Sequence, residues 1–231
     1  MKNWIACWIP RGLPRVESNI NSDVNLSSGD IRRRLAGTEP RTNAADIIMP
    51  PGSSRWPEPM REQLSGTLRP AGVLVPIIER ASRLTVLLTK RSAELKHHAG
   101  QVSFPGGSME EHDADVEAAA LRETHEEIGI ASHHVSVIGY LGTMPTITGY
   151  AVSPVVGMVS ASAELIIDKT EVEYAFEVPL SFLLNADNDV RTEWAAGNRS
   201  VPMIEFHWDG ERIWGATAFM ILSLRKKLLK Q

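Results

Sequence analysis

Three glutamates on one face of a single helix constrain this chain more than any other feature. Residues 114–128 read as a helix, stopped by Gly129 where a left-handed C-terminal cap is expected. Glu123 and Glu127 are four apart and Glu126 is three from Glu123, so the three carboxylates share one face. Like charges at that spacing cost a helix about 0.2–0.5 kcal/mol per pair, a penalty that water or a cation must relieve. At about 100° per residue, Val116, Ala119 and Ala120 fall on the glutamate side, and Leu121 and Ile128 fall opposite. A helix with apolar groups on two faces is expected to be sandwiched rather than laid on a surface. The carboxylates then read either as a solvated acidic face, the usual fate of such clusters, or as a site for a hard divalent cation, which selects oxygen ligands. Their place at the wet end of a buried face favours the cation.

Mg²⁺ or Mn²⁺ held there suits a polyphosphate substrate, because such an ion bridges phosphate oxygens and neutralises charge during attack by water. Gly106 and Gly107, just upstream, permit close backbone approach to metal or phosphate, although most diglycines are simply turns.

The segments around this helix alternate between strand and helix patterns. Residues 72–78, 84–89, 102–104, 135–141, 150–159 and 172–178 are β-rich runs. Pro179 can open a short helix over 180–184. A late hairpin over 203–208 and 211–214 turns at Asp209-Gly210, and a terminal helix follows over 216–230. Strands with helices between and after them imply a mixed α/β layered domain.

Residues 1–68 read as a separate, partly irregular extension with short helices, and residues 69–231 as the main domain. One extension helix begins near Ser28, carries Ile31 and Leu35, and takes Asp30 as its cap. The run Arg32-Arg-Arg34 reads as phosphate contact or, more simply, as a solvated face. Pro50 to Pro57 reads as a loop.

The formal net charge of −4 does not suggest a broad nucleic-acid surface. The single cysteine, Cys7, cannot form an intrachain disulfide, and no Cys/His zinc spacing is present. Pro10 and Arg11 break the opening apolar stretch too early for a signal peptide. No run approaches the ~18–20 apolar residues that cross a bilayer. Residues 213–229, apolar with a basic end, read as a docked core helix rather than a membrane-surface one. A cytoplasmic protein without a membrane or nucleic-acid partner is expected.

Arg122-Glu-Thr-His-Glu-Glu-Ile-Gly-Ile130 resembles the second half of the Nudix hydrolase signature, G-x5-E-x7-R-E-U-x-E-E-x-G-U, with Thr124 in an aliphatic position. The first half departs: Gly107 lies fifteen residues before Arg122, one more than the signature specifies. Asp113 is the stand-in for the missing outer acid, across a one-residue insertion. Upstream, residues 87–107 resemble the motif L-L-T-x-R-[SA]-x3-R-x3-G-x3-F-P-G-G of the coenzyme A pyrophosphatases in that superfamily, with Lys96 replacing an arginine. The replacement keeps charge but loses the planar fork.

The resemblance implies a Nudix-like α/β/α sandwich with a mixed sheet, using Mg²⁺ or Mn²⁺ to hydrolyse the diphosphate of coenzyme A or a derivative. It assigns the catalytic machinery to Arg122, Glu123, Glu126 and Glu127, and the metal to Glu123, Glu126, Glu127 and Gly107. Arg91, Lys96, His98, Gly106 and Gly107 would meet substrate. Arg91 reads equally as a salt-bridge partner, and His98 as a structural loop histidine. The general base stays open between Glu123 and Glu171, the latter reading also as a solvated loop residue. ADP-ribose, a dinucleotide or a nucleoside triphosphate is the rival substrate, and a nucleotide-binding module without catalysis the rival class. The superfamily resemblance also suggests a homodimer.

Overall fold

One long strand, β1 (Arg69–Arg80), organises the sheet in this computed structural model, which describes residues 26–40, 47–50, 52–81, 83–196 and 199–229. The readings of residues 1–11 and of Cys7 lie outside those residues. Strand β1 runs antiparallel to β2 (Arg83–Arg91) at its C-terminal end and parallel to β7 (Tyr150–Val159) along most of its length. Strands β3 (Val102–Ser103) and β5 (Val135–Tyr140) flank them, giving the order β3-β2-β1-β7-β5. Strand β4 (Gly106–Ser108) pairs with β1, β6 (Met144–Pro145) with β7, and β8 (Val172–Pro179) with β2. The sheet is therefore mixed, as the resemblance implied.

Period-two alternation along β1 divides the core. Val73, Val75 and Ile77 face one apolar cluster, and Leu74 and Ile78 the other. The second cluster is closed by α3 (Val116–Ile128) through Ala120 and Ile128. The first is closed by α1 (Ser28–Leu35), α4 (Leu180–Leu184) and α5 (Gly215–Leu228). Helices lie on both faces of one sheet, an α/β/α sandwich. Gly72 sets how near α3 can come: a Cβ there would lie 2.0 Å from the Val116 carbonyl oxygen.

Several expectations are refined. Ser27, not Asp30, is the N-cap of α1; Asp30 sits at N3 and completes a capping box with it. A second short helix, α2 (Glu58–Ser65), follows the proline-rich loop. The diglycine belongs to β4 rather than to a turn. The late hairpin, β10 (Arg199–Trp208) with β11 (Glu211–Ile213), gains a third strand, β9 (Val190–Ala196). On α3, His125 is exposed and Leu121 only partly buried, so the helix is covered on one broad side rather than sandwiched. Arg32, Arg33 and Arg34 are exposed, the simpler of their two readings. Helix α5 docks into the first cluster through Ala218, Ile221 and Leu224. Among the described residues, no helix is long and apolar enough to cross a membrane.

Candidate active site

Helix α3 is held at both ends. Asp115 caps its start by accepting from the Ala118 amide at 2.9 Å, and Gly129 ends it at φ 76°, the expected left-handed cap. After β7, the chain returns to the C-terminal end of the helix. The amides of Ile166 and Asp168 donate to the carbonyls of Ile128 and Glu127, and the Ser92 amide then takes the carbonyl of Glu171. Glu171 is thereby drawn towards the end of β2, beside Arg91.

Strand β4 crosses the inner face of α3. Its register places Gly107 opposite Gly72 and Gly106 opposite Val73. Gly106 is sterically required, and Gly107 lets β4 lie against the end of the Glu123 side chain. Gly106 adopts φ 145°, and a Cβ there would lie 2.5 Å from the Gly72 carbonyl oxygen. A Cβ on Gly107 would lie 2.5 Å from the Glu123 carboxyl carbon. Glu127 is buried, with 2% of its side chain exposed. Its Oε2 accepts from the Gly106 amide at 3.2 Å, and its Oε1 accepts from Arg91 Nη1 at 3.3 Å. Burial pushes the Glu127 carboxyl up to about 7, against the opposing pull of Arg91 and the Gly106 amide, with Glu123 and Glu171 adding to the rise. Burial likewise raises Glu123, opposed by Arg122, while Glu126 and Glu171 push it further up.

Arg122 ties the outer part of the site together. Its Nε and Nη2 grip both oxygens of Asp113 at 3.0 and 2.9 Å, and Nη2 also donates to the Ser108 carbonyl at 3.0 Å. Its Nη1 reaches Glu123 at 3.1 Å and Glu126 at 2.8 Å. The hydrogen bonds from Arg122 hold the Asp113 carboxyl down at about 2, and those to Asp113 raise the guanidinium in turn. Asp113 thus acts on Arg122, and through it on the glutamates. Sequence spacing offered Asp113 as an outer acid but could not show this clamp, because a loop-to-helix contact has no periodicity.

The nominated residues do not all converge. Glu123, Glu127, Gly106, Gly107 and Arg91 come together, with Arg122 behind them. Glu126 is 54% exposed on the outer side. Lys96 is exposed in the loop between β2 and β3. His98 sits at φ 58°, with Nδ1 2.9 Å from Gln101 Oε1, a contact that shapes the loop. Among the described residues, no three acidic, histidine or cysteine side chains form a ready-made metal cage. Arginines hold the carboxylates instead. The donor set still fits a hard divalent cation: Glu123 and Glu127 offer oxygen alone, and both carry the raised affinity for protons that a nearby cation would relieve.

An arginine-braced glutamate helix against a diglycine strand, on a mixed sheet covered by helices, defines a class as well as a shape. The NUDIX domain model matches residues 68–205, more than half of the 231-residue chain, and the chain belongs to the Nudix family. Two relatives share the printed name "Uncharacterized Nudix hydrolase NudL". That from Citrobacter koseri is 47% identical over 125 residues, covering 53% of this chain and 65% of the relative. That from Photorhabdus laumondii is 37% identical over 170 residues, covering 74% of this chain and 90% of the relative. The match to the first therefore spans just under two thirds of its length. A solved Ap4A hydrolase from C. elegans, in a binary complex, aligns with a TM-score of 0.43 at 19% identity, over 49% of this chain and 83% of that one.

Proposed function

We propose that this chain is a metal-dependent pyrophosphohydrolase that cleaves the diphosphate of coenzyme A or a derivative into 4′-phosphopantetheine and adenosine 3′,5′-bisphosphate. The observation that carries the reading is the junction of two motifs: Arg91, from the coenzyme A-type segment, reaches the buried Glu127 of the glutamate helix. A basic group that binds phosphate would be wanted at that place.

Glu123 and Glu127 are the residues that would hold Mg²⁺ or Mn²⁺, with the Gly107 backbone as a further ligand and Glu126, on the exposed side, contributing through water. A bound cation would neutralise charge on the diphosphate oxygens and acidify the attacking water. Arg122 keeps Glu123 in position through its grip on Asp113. In the hydrolysis, a water oxygen bonds to one phosphorus, the bridging P–O bond breaks towards the other phosphate, and a base takes the water's proton. Glu171 suits that role: its charge is felt at both Glu123 and Glu127, and it makes no ion pair among the described residues. Lys96 is exposed and would meet the adenosine 3′-phosphate or the diphosphate, with His98 shaping its loop. Because Lys96 replaces the motif's arginine, ADP-ribose or another nucleoside diphosphate derivative is the second reading. A cytoplasmic setting, a homodimer and an extension ending near residue 68 belong to the same proposal.

The test is product chromatography after incubation with coenzyme A, ADP-ribose, NADH and dGTP, each with Mg²⁺, Mn²⁺ or chelator, beside Glu127→Gln. Metal-dependent release of adenosine 3′,5′-bisphosphate that Glu127→Gln abolishes supports the coenzyme A reading. Preferential cleavage of another compound refutes it and keeps the hydrolase. Inertness of folded protein towards all four refutes both.

A further inference from the structure

Two arginines serve the buried acids, and they are held very differently. Among the described residues, Arg122 donates five hydrogen bonds, to Asp113, Glu123, Glu126 and the Ser108 carbonyl. Moving it would break all of them. Arg91 makes a single guanidinium hydrogen bond among the described residues, the one to Glu127 at 3.3 Å, which is long for a charged pair. It stands at the end of β2, where the register with β8 shifts between Lys90 and Arg91, and its side chain is 23% exposed.

The partner on the other oxygen of Glu127 cannot yield. The Gly106 amide belongs to β4, which is locked in register against β1 at a contact with no room even for a methyl group. Each Glu127 oxygen thus accepts one hydrogen bond among the described residues, Oε2 from an immobile amide and Oε1 from a guanidinium that can move. A cation at Oε1 must share that oxygen with the guanidinium or displace it, and two positive charges on one oxygen repel.

We propose that Arg91 and a divalent cation compete for the Glu127 carboxylate, the cation displacing the guanidinium when it binds. This rests on the metal-dependent reading above and deepens it. The buried charge is never left alone: the guanidinium compensates it before the cation arrives, and removing one partner of a buried pair is strongly destabilising. Once displaced, Arg91 stays within a side chain's length of the same place, free to meet a phosphate oxygen with its planar fork. One residue then pairs with the carboxylate before the cation binds and meets substrate afterwards.

The experiment uses the full chain and Mn²⁺ alone, without substrate. Mn²⁺ affinity is measured by titration calorimetry, and thermal unfolding is followed in chelator, for wild type, Arg91→Met, Arg91→Lys, Glu127→Gln and the Arg91→Met/Glu127→Gln pair. Arg91→Met is expected to bind Mn²⁺ about tenfold more tightly, equivalent to about 1.4 kcal/mol, and to melt lower in chelator. In the Glu127→Gln background, Arg91→Met is expected to leave the melting temperature unchanged, since no charge remains to compensate. Arg91→Lys, which keeps charge but not the fork, should fall between and guards against misfolding of the methionine variant. Unchanged or weaker Mn²⁺ binding in both Arg91 variants, or an equal loss of stability with and without Glu127, overturns the exchange. If Glu127→Gln instead binds Mn²⁺ like wild type, the ligand assignment under the proposed function fails as well, which separates the two outcomes.

Discussion

Replacing Gly107 by alanine tests whether the diglycine strand positions Glu123, the proposed metal ligand. The new Cβ would lie 2.5 Å from the Glu123 carboxyl carbon and 2.6 Å from each of its oxygens, whereas ordinary contact begins near 3.4 Å. The shortfall, 3.4 minus 2.5, is about 0.9 Å. Gly107 is not among the glycines at positive φ, so alanine brings no backbone strain of its own. The backbones hold their places, since β4 is in register with β1 and α3 rests on Gly72, and the flexible end of Glu123 gives way. The Glu123 side chain must therefore move by nearly 1 Å, against its bond to Arg122. Because the clash falls on the far end of a flexible, partly exposed side chain, the cost in stability should be about 1 kcal/mol or less, the low end of overpacking. A misplacement of about 1 Å at a reacting centre costs on the order of 100-fold in rate. The assay is metal-dependent hydrolysis of the substrate the wild type prefers, with circular dichroism to verify the fold. A folded Gly107→Ala within about threefold of the wild-type kcat/KM would refute the argument, since it corresponds to well under 1 kcal/mol of lost transition-state stabilisation.

Three further outcomes are expected. Ile31→Ala empties a fully buried position between α1 and the first cluster and should cost about 2–5 kcal/mol. The fall in melting temperature should be about 2–4 °C per kcal/mol, and no fall would detach α1 from the core. Asp113→Asn weakens the clamp on Arg122, which keeps Glu123 and Glu126 as counter-ions, and should destabilise by about 1.5–3 kcal/mol, the range for hydrogen bonds to a charged group. Asp113 is held at about 2 in the fold, against an ordinary value of 3.8. Its contribution is complete above about 4 and is lost as pH falls through about 2, so acid unfolding of Asp113→Asn should lack that part of the slope. Glu171→Gln should lower kcat by about 10²–10⁴ with little change in KM if Glu171 is the base. A normal kcat would return that role to Glu123.

Local pattern carried much of the fold. The helix over 114–128 appears as Val116–Ile128 with Gly129 as its cap, and the strand over 150–159 and the helix over 180–184 appear with those bounds. Each is written in nearby residues: an apolar period, a proline at an entry, a glycine at an exit. Strands β4 and β6 escaped notice because two or three residues carry no period, and pairing with β1 and β7 is what makes them strands. The carboxylate face was legible for the same reason as the helix, since a spacing of three or four fixes a face wherever the helix lies. What surrounds each carboxylate was not. That Glu127 is buried and Glu126 exposed, that Asp113 grips Arg122, and that Glu171 is drawn towards Arg91 all depend on segments far apart in the chain. Local residues can specify a helix and the acids it carries, but burial and charge at each acid are sums over every neighbour, and only the packed chain decides who those neighbours are.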